Sequence, residues 1–351
     1  MRLLILGTGG MAANHAKNFA AVDGVELVAG VDVDPARLEA FQTAHKIPNG
    51  FASLDAAIAW GQFDAVANVT PDSIHHPTTI AALKAGKHVF CEKPLATDAA
   101  KAFEMADAAE QAGLINMVNL TYRNVAQLQR ARQIVQSGQI GTVKHVEASY
   151  LQSWLSSKFW GDWRTGNNWL WRLSKKHGSN GTLGDIGIHI LDFASYGSGL
   201  DIERIFARLK TFDKAPGNRM GEYELDANDS FVMTVDFSNG ALGVIHSSRW
   251  ASGHINELRL RVYGELGSVE VQHRHDGSRL RVCMGDDLDT ALWKDVEVPP
   301  VPTNYERFAE AVRSGKNQQP DFRHAAELQK VLDLAMVSDG QHREVAVHQP
   351  Q

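Results

Sequence analysis

The stretch that decides the fold is LLILGTGGMA, residues 3–12. Four apolar residues are followed at once by a glycine-rich turn and then by a helix-like pattern. A strand, a glycine turn and a helix in this order are typical of the first βα unit of a dinucleotide-binding domain. There Gly7 allows the tight turn, and Gly9 lets the backbone approach a pyrophosphate, whose charge meets the N–H groups at the helix N-terminus. A tight βα turn without a ligand would carry the same glycines, so the following segments matter.

Those segments continue the alternation of short apolar runs with longer helical patterns. Apolar runs at 26–31, 65–69, 89–91 and 115–118 alternate with helical patterns at 35–45, 74–85 and 98–112. Such alternation predicts βαβ units around a parallel, doubly wound sheet. We therefore expect an α/β dinucleotide-binding Rossmann domain over residues 1–121.

Asp32 ends the second apolar run, about 20 residues after the glycine-rich turn. Its carboxylate can accept hydrogen bonds from the adenosine ribose hydroxyls and repels a 2′-phosphate, which favours NAD over NADP. Arg37 lies nearby, and its positive charge weakens the preference for NAD over NADP. NADP therefore remains an alternative cofactor. Asp32 is also suited to cap the helix that begins near Pro35, or to be a solvated carboxylate at a strand end.

The pattern changes after about residue 140. Apolar residues alternate with polar ones over 230–237 and 257–262, as in strands of an antiparallel sheet with one buried face. Asn239-Gly240 predicts a hairpin turn between two such strands. Residues 122–351 are thus expected to form an α+β substrate-binding and oligomerisation domain with a large open, mainly antiparallel sheet. Because an open sheet face usually packs against something, we expect a homo-oligomer, a dimer or tetramer, formed through this sheet.

Composition excludes several classes of protein. The 351 residues are 44% hydrophobic and 22% charged, as in soluble globular proteins, and the net charge of −6 argues against nucleic acid or an anionic membrane as the partner. No run approaches the roughly 20 apolar residues of a membrane span. Two cysteines, Cys91 and Cys283, match neither a disulfide framework nor a zinc pattern. These features predict a cytoplasmic protein.

Several short motifs, in order along nearly the whole chain, resemble those of the glucose–fructose oxidoreductase / inositol dehydrogenase family. They are Thr70-Pro71-Asp72 with His75, Glu92-Lys93-Pro94, Tyr122-Arg123, Trp171-Arg172, and the segment 181–189, which contains Asp185 and His189. The chain departs from the family in Asp72, where Asn is usual, and in Asn180-Gly181-Thr182, where three glycines are usual. The resemblance implies an NAD(P)-dependent oxidoreductase with a Rossmann domain.

Asp185 and His189 are four residues apart, a spacing that puts both on one face of a helix. His189 can accept a hydroxyl proton while a hydride leaves the same carbon. Asp185 can orient the imidazole or bind a second hydroxyl. The two are also compatible with a structural pair, whereas a metal site lacks a third ligand at suitable spacing. By resemblance, Lys93 completes the catalytic set by stabilising negative charge on the reacting oxygen.

The motifs and the resemblance together give a set of candidate residues and no metal site. The cofactor set is Gly7, Thr8, Gly9, Gly10, Met11, Asp32, Arg37, Thr70, Pro71, His75, Glu92, Lys93, Trp171 and Arg172. The substrate set is Lys93, Arg123, Trp163, Asn168, Arg172, Asp185, His189 and His254. Five tryptophans fall within 154–171. They are suited to stack on a sugar ring, to pack their own loop, or to contact a neighbouring subunit.

The predicted activity is hydride transfer between nicotinamide C4 and a secondary alcohol or ketone of a sugar, cyclitol or related polyol. Two alternatives remain open from the sequence. One is a glycoside hydrolase that uses NAD for transient oxidation, and the other is a non-catalytic nucleotide-sensing regulator on the same fold. A regulator has no need of the Lys93 and His189 pair.

Overall fold

The computed structural model describes residues 1–348, and within that range all side chains except those of Asn167 and Asn168. The chain forms two compact units. The first contains Met1–Asn124 and Pro302–Lys330, and the second contains Val125–Val301 and Val331–Gln351. Each unit has its own sheet.

The sheet of the first unit is parallel throughout. Its six strands are β1 (Arg2–Leu6), β2 (Glu26–Val31), β3 (Asn49–Phe51), β4 (Ala65–Asn68), β5 (His88–Cys91) and β6 (Asn116–Val118). Their spatial order is β3-β2-β1-β4-β5-β6, so the winding direction reverses between β1 and β4. Ligands of doubly wound sheets bind at such a reversal, outside the carboxyl ends of the strands.

Five helices connect these strands: α1 (Ala12–Ala20), α2 (Pro35–His45), α3 (Leu54–Trp60), α4 (Asp72–Lys84) and α5 (Ala99–Ala112). Helix α2 starts at Pro35, where a missing N–H costs nothing. Its cap is Asp34, whose side chain accepts from the N–H groups of Ala36 and Arg37. Asp32 is therefore not needed as a cap. A short 3₁₀ turn, Thr121–Asn124, ends this part of the unit.

The second unit is built on a mixed, mostly antiparallel sheet. Its strands are β7 (Val143–Gln152), β8 (Ile202–Lys210), β9 (Arg219–Met220), β10 (Tyr223–Glu224), β11 (Ser230–Phe237), β12 (Leu242–Ser248), β13 (Asn256–Gly264), β14 (Gly267–Arg274), β15 (Gly277–Met284), β16 (Lys294–Asp295) and β17 (Val345–Ala346). Nine of them form the main sheet in the order β16-β15-β14-β13-β7-β12-β11-β8-β17, and β9 pairs with β10. Only β7 and β12 in this sheet pair in parallel among the described residues.

Helices cover one face of this sheet. The unit contains α6 (Ala126–Gln136), α7 (Asn167–Leu170), α8 (Ile188–Ser198) and α9 (Asp287–Thr290), with 3₁₀ turns at Trp171–Leu173, Lys175–His177 and Pro216–Asn218. Helix α8 packs on β7, β12 and β13, and α6 packs on β14 and β15. The turn between β11 and β12 contains Gly240 with a φ of 79°, as the Asn-Gly pair predicts. The predicted fold class, a Rossmann domain followed by an α+β domain, is confirmed.

The chain returns to the first unit near its end, through α10 (Asn304–Ser314) and the start of α11 (Phe322–Gln341). The sequence prediction closed the first domain at residue 121 and assigned these residues to the second. Helix α10 is amphipathic, and Tyr305, Phe308 and Ala311 complete the apolar core that contains Leu3 and Phe90. Burial of this face accounts for the return, because an exposed apolar stripe of this size is unfavourable in water.

The lengths and compositions of the helices also bear on membrane insertion. Helix α11 has 20 residues but carries charged side chains along its length, among them Arg323, Glu327 and Lys330. Within residues 1–348, no helix combines the length and the apolar character that a bilayer crossing requires.

Candidate cofactor and catalytic sites

The glycine-rich turn after β1 has the shape that a pyrophosphate requires. Gly7 has a φ of 86°, and a Cβ there would lie 2.8 Å from the carbonyl oxygen of Val69, so only glycine fits. By contrast, a Cβ built on Gly9 or Gly10 meets no atom within 4 Å. This open space in front of the turn, with Met11 at the N-terminus of α1, fits a dinucleotide phosphate.

Asp32 follows β2 and fixes the same turn. Its Oδ2 accepts from the backbone N–H of Thr8 at 2.8 Å and from the Thr8 hydroxyl at 2.8 Å, and its Oδ1 accepts from the N–H of Asp34 at 2.9 Å. Burial alone would raise the pKa of Asp32, but the N–H groups of Asp34 and Thr8 outweigh it and lower the pKa. Asp32 is therefore an anion beside the glycine-rich turn. Arg37 lies with its guanidinium 3.2 Å from Asp34.

The loop after β4 contains Thr70 and Pro71, and it leads into α4. The Thr70 hydroxyl donates to Oδ1 of Asn68 at 2.7 Å, which holds the loop against the end of its own strand. His75 lies in α4 with no exposed surface. Its Nε2 is 2.8 Å from the carbonyl oxygen of Thr70, and its Nδ1 is 2.7 Å from that of Pro94. His75 thus links this loop to the next one.

Glu92 and Lys93 follow β5, and the Lys93–Pro94 peptide bond is cis. One Glu92 oxygen is 2.7 Å from Nε2 of His15 and accepts from the Asn119 amide at 2.7 Å, and the other accepts from the Lys93 N–H at 3.0 Å. Burial opposes ionisation of Glu92, but His15, Asn119 and the positive charge of Lys93 lower its pKa to about 2. Glu92 is an anion that holds the backbone of Lys93.

These loops lie together because the strand ends are in register. Leu6 of β1 pairs with Val31 of β2 and with Asn68 of β4, and Asn68 pairs with Cys91 of β5. The next residues along each strand begin the loops described above. One edge of one sheet therefore presents the Asp32 anion, the open glycine turn, the loop after β4 and the Lys93 segment in this order.

In the second unit, Asp185 and His189 lie at a change of helix type. Asp185 belongs to a π-helical turn, Leu183–Gly187, and His189 lies in the first turn of α8. Single π-turns are rare and are often found at functional sites. The two residues are still about one turn apart. The continuous α-helix that the sequence predicts for them is replaced by a π-helical turn followed by α8. Gly181 precedes the turn with a φ of 69°, and a Cβ there would lie 2.5 Å from Asn228, which accounts for the glycine.

Two arginines hold the Asp185 carboxylate. Nη1 of Arg172 donates to one oxygen at 3.0 Å, and Nη2 of Arg249 donates to the other at 2.9 Å. Arg249 is fully buried, and its Nη1 also donates to the carbonyl oxygen of Arg172 at 3.2 Å. The Arg172 guanidinium lies 4.6 Å from the ring centre of Trp171, which is 42% exposed. His189 is nearly buried, with its ring 6.5 Å from that of Tyr150.

The tryptophan-rich segment packs largely on itself. Trp154 and Trp163 belong to a buried cluster against which Trp160 and Trp169 pack. Trp163 is 1% exposed, and its indole N–H donates to the carbonyl oxygen of Leu155 at 3.2 Å. This burial corrects the expectation that Trp163 contacts a substrate, because a ligand cannot reach its ring without opening the cluster.

The remaining predicted substrate contacts are Arg123, His254 and Asn168. Arg123 is fully buried, and its Nη2 is 2.9 Å from Nε2 of His324, within the first unit. Nδ1 of His254 is 2.9 Å from Glu257, at the start of β13. Asn168 lies outside the described side chains.

Comparisons with known proteins fit this geometry. The profile described as "Oxidoreductase family, NAD-binding Rossmann fold" matches residues 1–120, and the "GFO/IDH/MocA C-terminal domain" profile matches residues 128–270. Both units of the fold are thus matched by one family. The chain belongs to the GFO/IDH/MocA oxidoreductase family. This membership confirms the predicted resemblance and the predicted class, an NAD(P)-dependent oxidoreductase.

Relatives within the GFO/IDH/MocA family include named dehydrogenases. The chain is 30% identical to levoglucosan dehydrogenase of Pseudarthrobacter phenanthrenivorans, over 66% of this chain and 61% of that enzyme, which is less than two thirds of the relative. It is 27% identical to myo-inositol 2-dehydrogenase of Thermotoga maritima, over 77% of this chain and 74% of that enzyme. The structure of an oxidoreductase domain protein from Kribbella flavida superposes with a TM-score of 0.87, 27% identity and 99% coverage of both chains.

Two residues that support the candidate site are not indicated by the sequence motifs. His15 supports Glu92, and Arg249 supports Asp185. His15 lies four residues before the buried Phe19, a spacing that indicates a buried polar side chain in α1. Arg249 directly follows β12. The residues next to it in the sequence do not indicate a partner 64 residues away.

Proposed function

We propose that this chain catalyses reversible hydride transfer between nicotinamide C4 of NAD(P) and a carbon that bears a secondary hydroxyl or keto group on a sugar, cyclitol or related polyol. The observation that supports the proposal is the register of β1, β2, β4 and β5, whose aligned ends bring the Lys93 loop and the glycine-rich turn to the same edge of the sheet, with the loop after β4 between them. The names of the levoglucosan and myo-inositol dehydrogenases support the substrate class.

The cofactor would be held by the turn from Gly7 to Met11, by Asp32 and by the loop that starts at Thr70. When bound, NAD supplies the hydride acceptor or donor at nicotinamide C4. We propose that NAD is preferred over NADP, because the Asp32 anion repels a 2′-phosphate. Arg37 is already paired with Asp34, which reduces its value as a phosphate ligand.

His189 is the proposed acid–base. During oxidation, its imidazole takes the proton of the reacting hydroxyl as the C–H bond breaks, and it returns the proton in the reverse direction. The Lys93 ammonium donates a hydrogen bond to the same oxygen and stabilises its alkoxide character. Asp185, fixed by Arg172 and Arg249, accepts a hydrogen bond from the imidazole or from a second substrate hydroxyl.

Substrate binding is assigned to the part of the tryptophan-rich segment that is exposed. Trp171 offers a ring face, and Arg172 offers guanidinium N–H groups beside it. Rings of this kind stack on the C–H faces of sugars. Trp163 and Arg123 are left to packing, since both are buried.

We also propose a homo-oligomer through the sheet face that α6 and α8 leave uncovered. Val232 and Leu242 are half-exposed on β11 and β12, and Arg261 pairs across strands with Glu147 and Glu270. A self-complementary face of this type suits a two-fold interface. Sedimentation velocity at several concentrations tests it, and a monomer throughout would contradict it. Cys91 and Cys283 are buried free thiols, in keeping with the proposed reducing, cytoplasmic location.

The function is tested by incubating the enzyme with a panel of sugars and cyclitols and either NAD or NADP. We expect at least one polyol to give reduced nicotinamide. When that polyol carries deuterium on its carbinol carbon, the deuterium should be recovered at nicotinamide C4. Release of an aglycone from aryl glycosides without net reduction would favour the hydrolase instead. Tight NAD binding without turnover on any substrate would favour the regulator.

A further inference from the structure

His75 is a fully buried polar side chain that the proposed chemistry does not use. Both of its ring nitrogens face backbone carbonyl oxygens. Nδ1 lies 2.7 Å from the oxygen of Pro94, and Nε2 lies 2.8 Å from the oxygen of Thr70. These are hydrogen-bond distances on both sides of one ring.

The two contacts determine the protonation state. A carbonyl oxygen can only accept, so each contact requires an N–H on the histidine. A neutral imidazole has one N–H and one lone pair, and its lone pair would point at a carbonyl oxygen in a buried site. An imidazolium has two N–H groups and satisfies both oxygens. The geometry therefore selects the charged form.

The surroundings of the ring favour the same form. Helix α4 presents Asp72 in its first turn, and β5 presents the Cys91 thiol at its end. Burial alone would lower the pKa of His75, but Cys91, the Pro94 carbonyl and Asp72 outweigh it and raise the pKa to about 9. On the third side, the Asn68 amide donates to the His75 carbonyl at 3.3 Å and to the Thr79 hydroxyl at 3.0 Å, which fixes the helix turn.

We infer that His75 is an imidazolium at neutral pH that clamps the loop after β4 to the loop after β5 and thereby positions Lys93. Pro94 directly follows Lys93 in the chain, so a fixed Pro94 carbonyl restricts the lysine backbone from one side. The Glu92 carboxylate restricts it from the other through the Lys93 N–H. His75 is a positioning residue, and its effect on turnover rests on the proposed role of Lys93.

The charge state is testable without any activity. The protein is labelled with ¹⁵N in its 15 histidines, and the His75 ring signals are identified by their loss in His75→Gln. At neutral pH, where an ordinary histidine with a pKa of about 6.5 is mostly neutral, we expect two protonated ring nitrogens for His75. His76→Gln, which removes the partly exposed neighbour paired with Glu104, should leave these signals in place. One protonated and one unprotonated nitrogen would overturn the inference.

The positioning role is tested by a double-mutant cycle. His75→Phe removes both donors but fills the space, and we expect kcat to fall by about tenfold to a hundredfold, because small displacements of a catalytic group are costly. NAD affinity measured by fluorescence should change much less. His75→Phe added to Lys93→Ala should cause little further loss, since His75 acts through the lysine that is already removed.

The outcomes separate this inference from the proposed function. Losses from His75→Phe and Lys93→Ala that multiply would show that His75 acts elsewhere and would overturn the positioning role. A Lys93→Ala enzyme with full turnover would remove the proposed mechanism, and the positioning role with it, while the labelled histidine would still report whether the clamp is charged.

Discussion

The Arg249 guanidinium donates to the Asp185 carboxylate at 2.9 Å, and the arginine is fully buried. A charge removed from water at this depth is tolerated only with a partner and hydrogen bonds. Arg249 has the carboxylate and the carbonyl oxygens of Arg172 and Gly181. The same contacts that satisfy the arginine fix the orientation of Asp185, one turn before the proposed acid–base.

We predict that Arg249→Ala lowers the free energy of unfolding by about 2–4 kcal/mol, because it empties a buried site and removes one of the two cations that hold Asp185. Urea unfolding measures the change. Arg204→Ala removes an exposed pair with Glu344 and is the matched control, with an expected loss of about 0–1 kcal/mol. Equal losses in the two variants would show that burial of Arg249 is energetically unimportant.

The Glu92 carboxylate predicts a component of acid sensitivity. Its pKa is lowered to about 2 in the folded protein, so its ionisation stabilises the fold above pH 4.5, and this contribution is lost as the pH falls from 4.5 towards 2. At roughly 1.4 kcal/mol per pKa unit, the contribution is about 3 kcal/mol.

Glu92→Gln should therefore be less stable than the wild type at neutral pH, and the difference should shrink below pH 4.5. Urea titrations across this pH range measure both proteins. A difference that stays constant as the pH falls would show that the ionisation of Glu92 makes no contribution.

The glycines of the first turn should separate folding from cofactor binding. Gly9→Ala places its methyl group in open space, so stability should stay within about 0.5 kcal/mol of the wild type. The same methyl group occupies the approach of the pyrophosphate, so NAD affinity should fall by at least about tenfold. Gly7→Ala meets the Val69 carbonyl at 2.8 Å and should destabilise the fold itself. Unchanged NAD affinity in Gly9→Ala would move the cofactor site elsewhere.

Cofactor choice should depend on Asp32. Asp32→Ser removes the anion beside the ribose site, and we expect the ratio of kcat/KM for NAD to that for NADP to fall by at least about tenfold. Glu39→Gln removes an exposed carboxylate from α2 and leaves the pair between Asp34 and Arg37 intact, so it serves as the control. A ratio that changes equally in both variants would assign the preference to general charge and not to Asp32.

The sequence alone predicted the first sheet because βαβ periodicity and glycine turns are local signals. Gly7, Asp32 and Lys93 each follow a short apolar run, and parallel strands bring such positions to one edge. Contacts between residues that lie far apart in the sequence were not predictable. Helix α10 has an obvious apolar face, but nothing local shows that Tyr305 and Phe308 complete the core of the first unit.

The sequence motifs supply the candidate site residues, but they do not indicate the side chains that hold those residues in place. Trp163 illustrates an error of another kind, since a tryptophan in a loop is equally suited to a ligand and to packing, and only its burial decides between them. Arg249 and His15 have roles that come entirely from distant partners, Asp185 and Glu92. Supporting residues of this kind are identified from the three-dimensional structure, which shows their partners.

The central claim is that the Lys93 ammonium and the His189 imidazole act on one substrate oxygen. It is tested most directly by the turnover of Lys93→Met and His189→Asn with the best polyol and saturating NAD, beside Lys101→Met, a surface lysine paired with Asp98, as the control. We predict losses of at least about a hundredfold in kcat for the first two, with NAD affinity retained and the control unaffected. Full turnover in either Lys93→Met or His189→Asn would contradict the account.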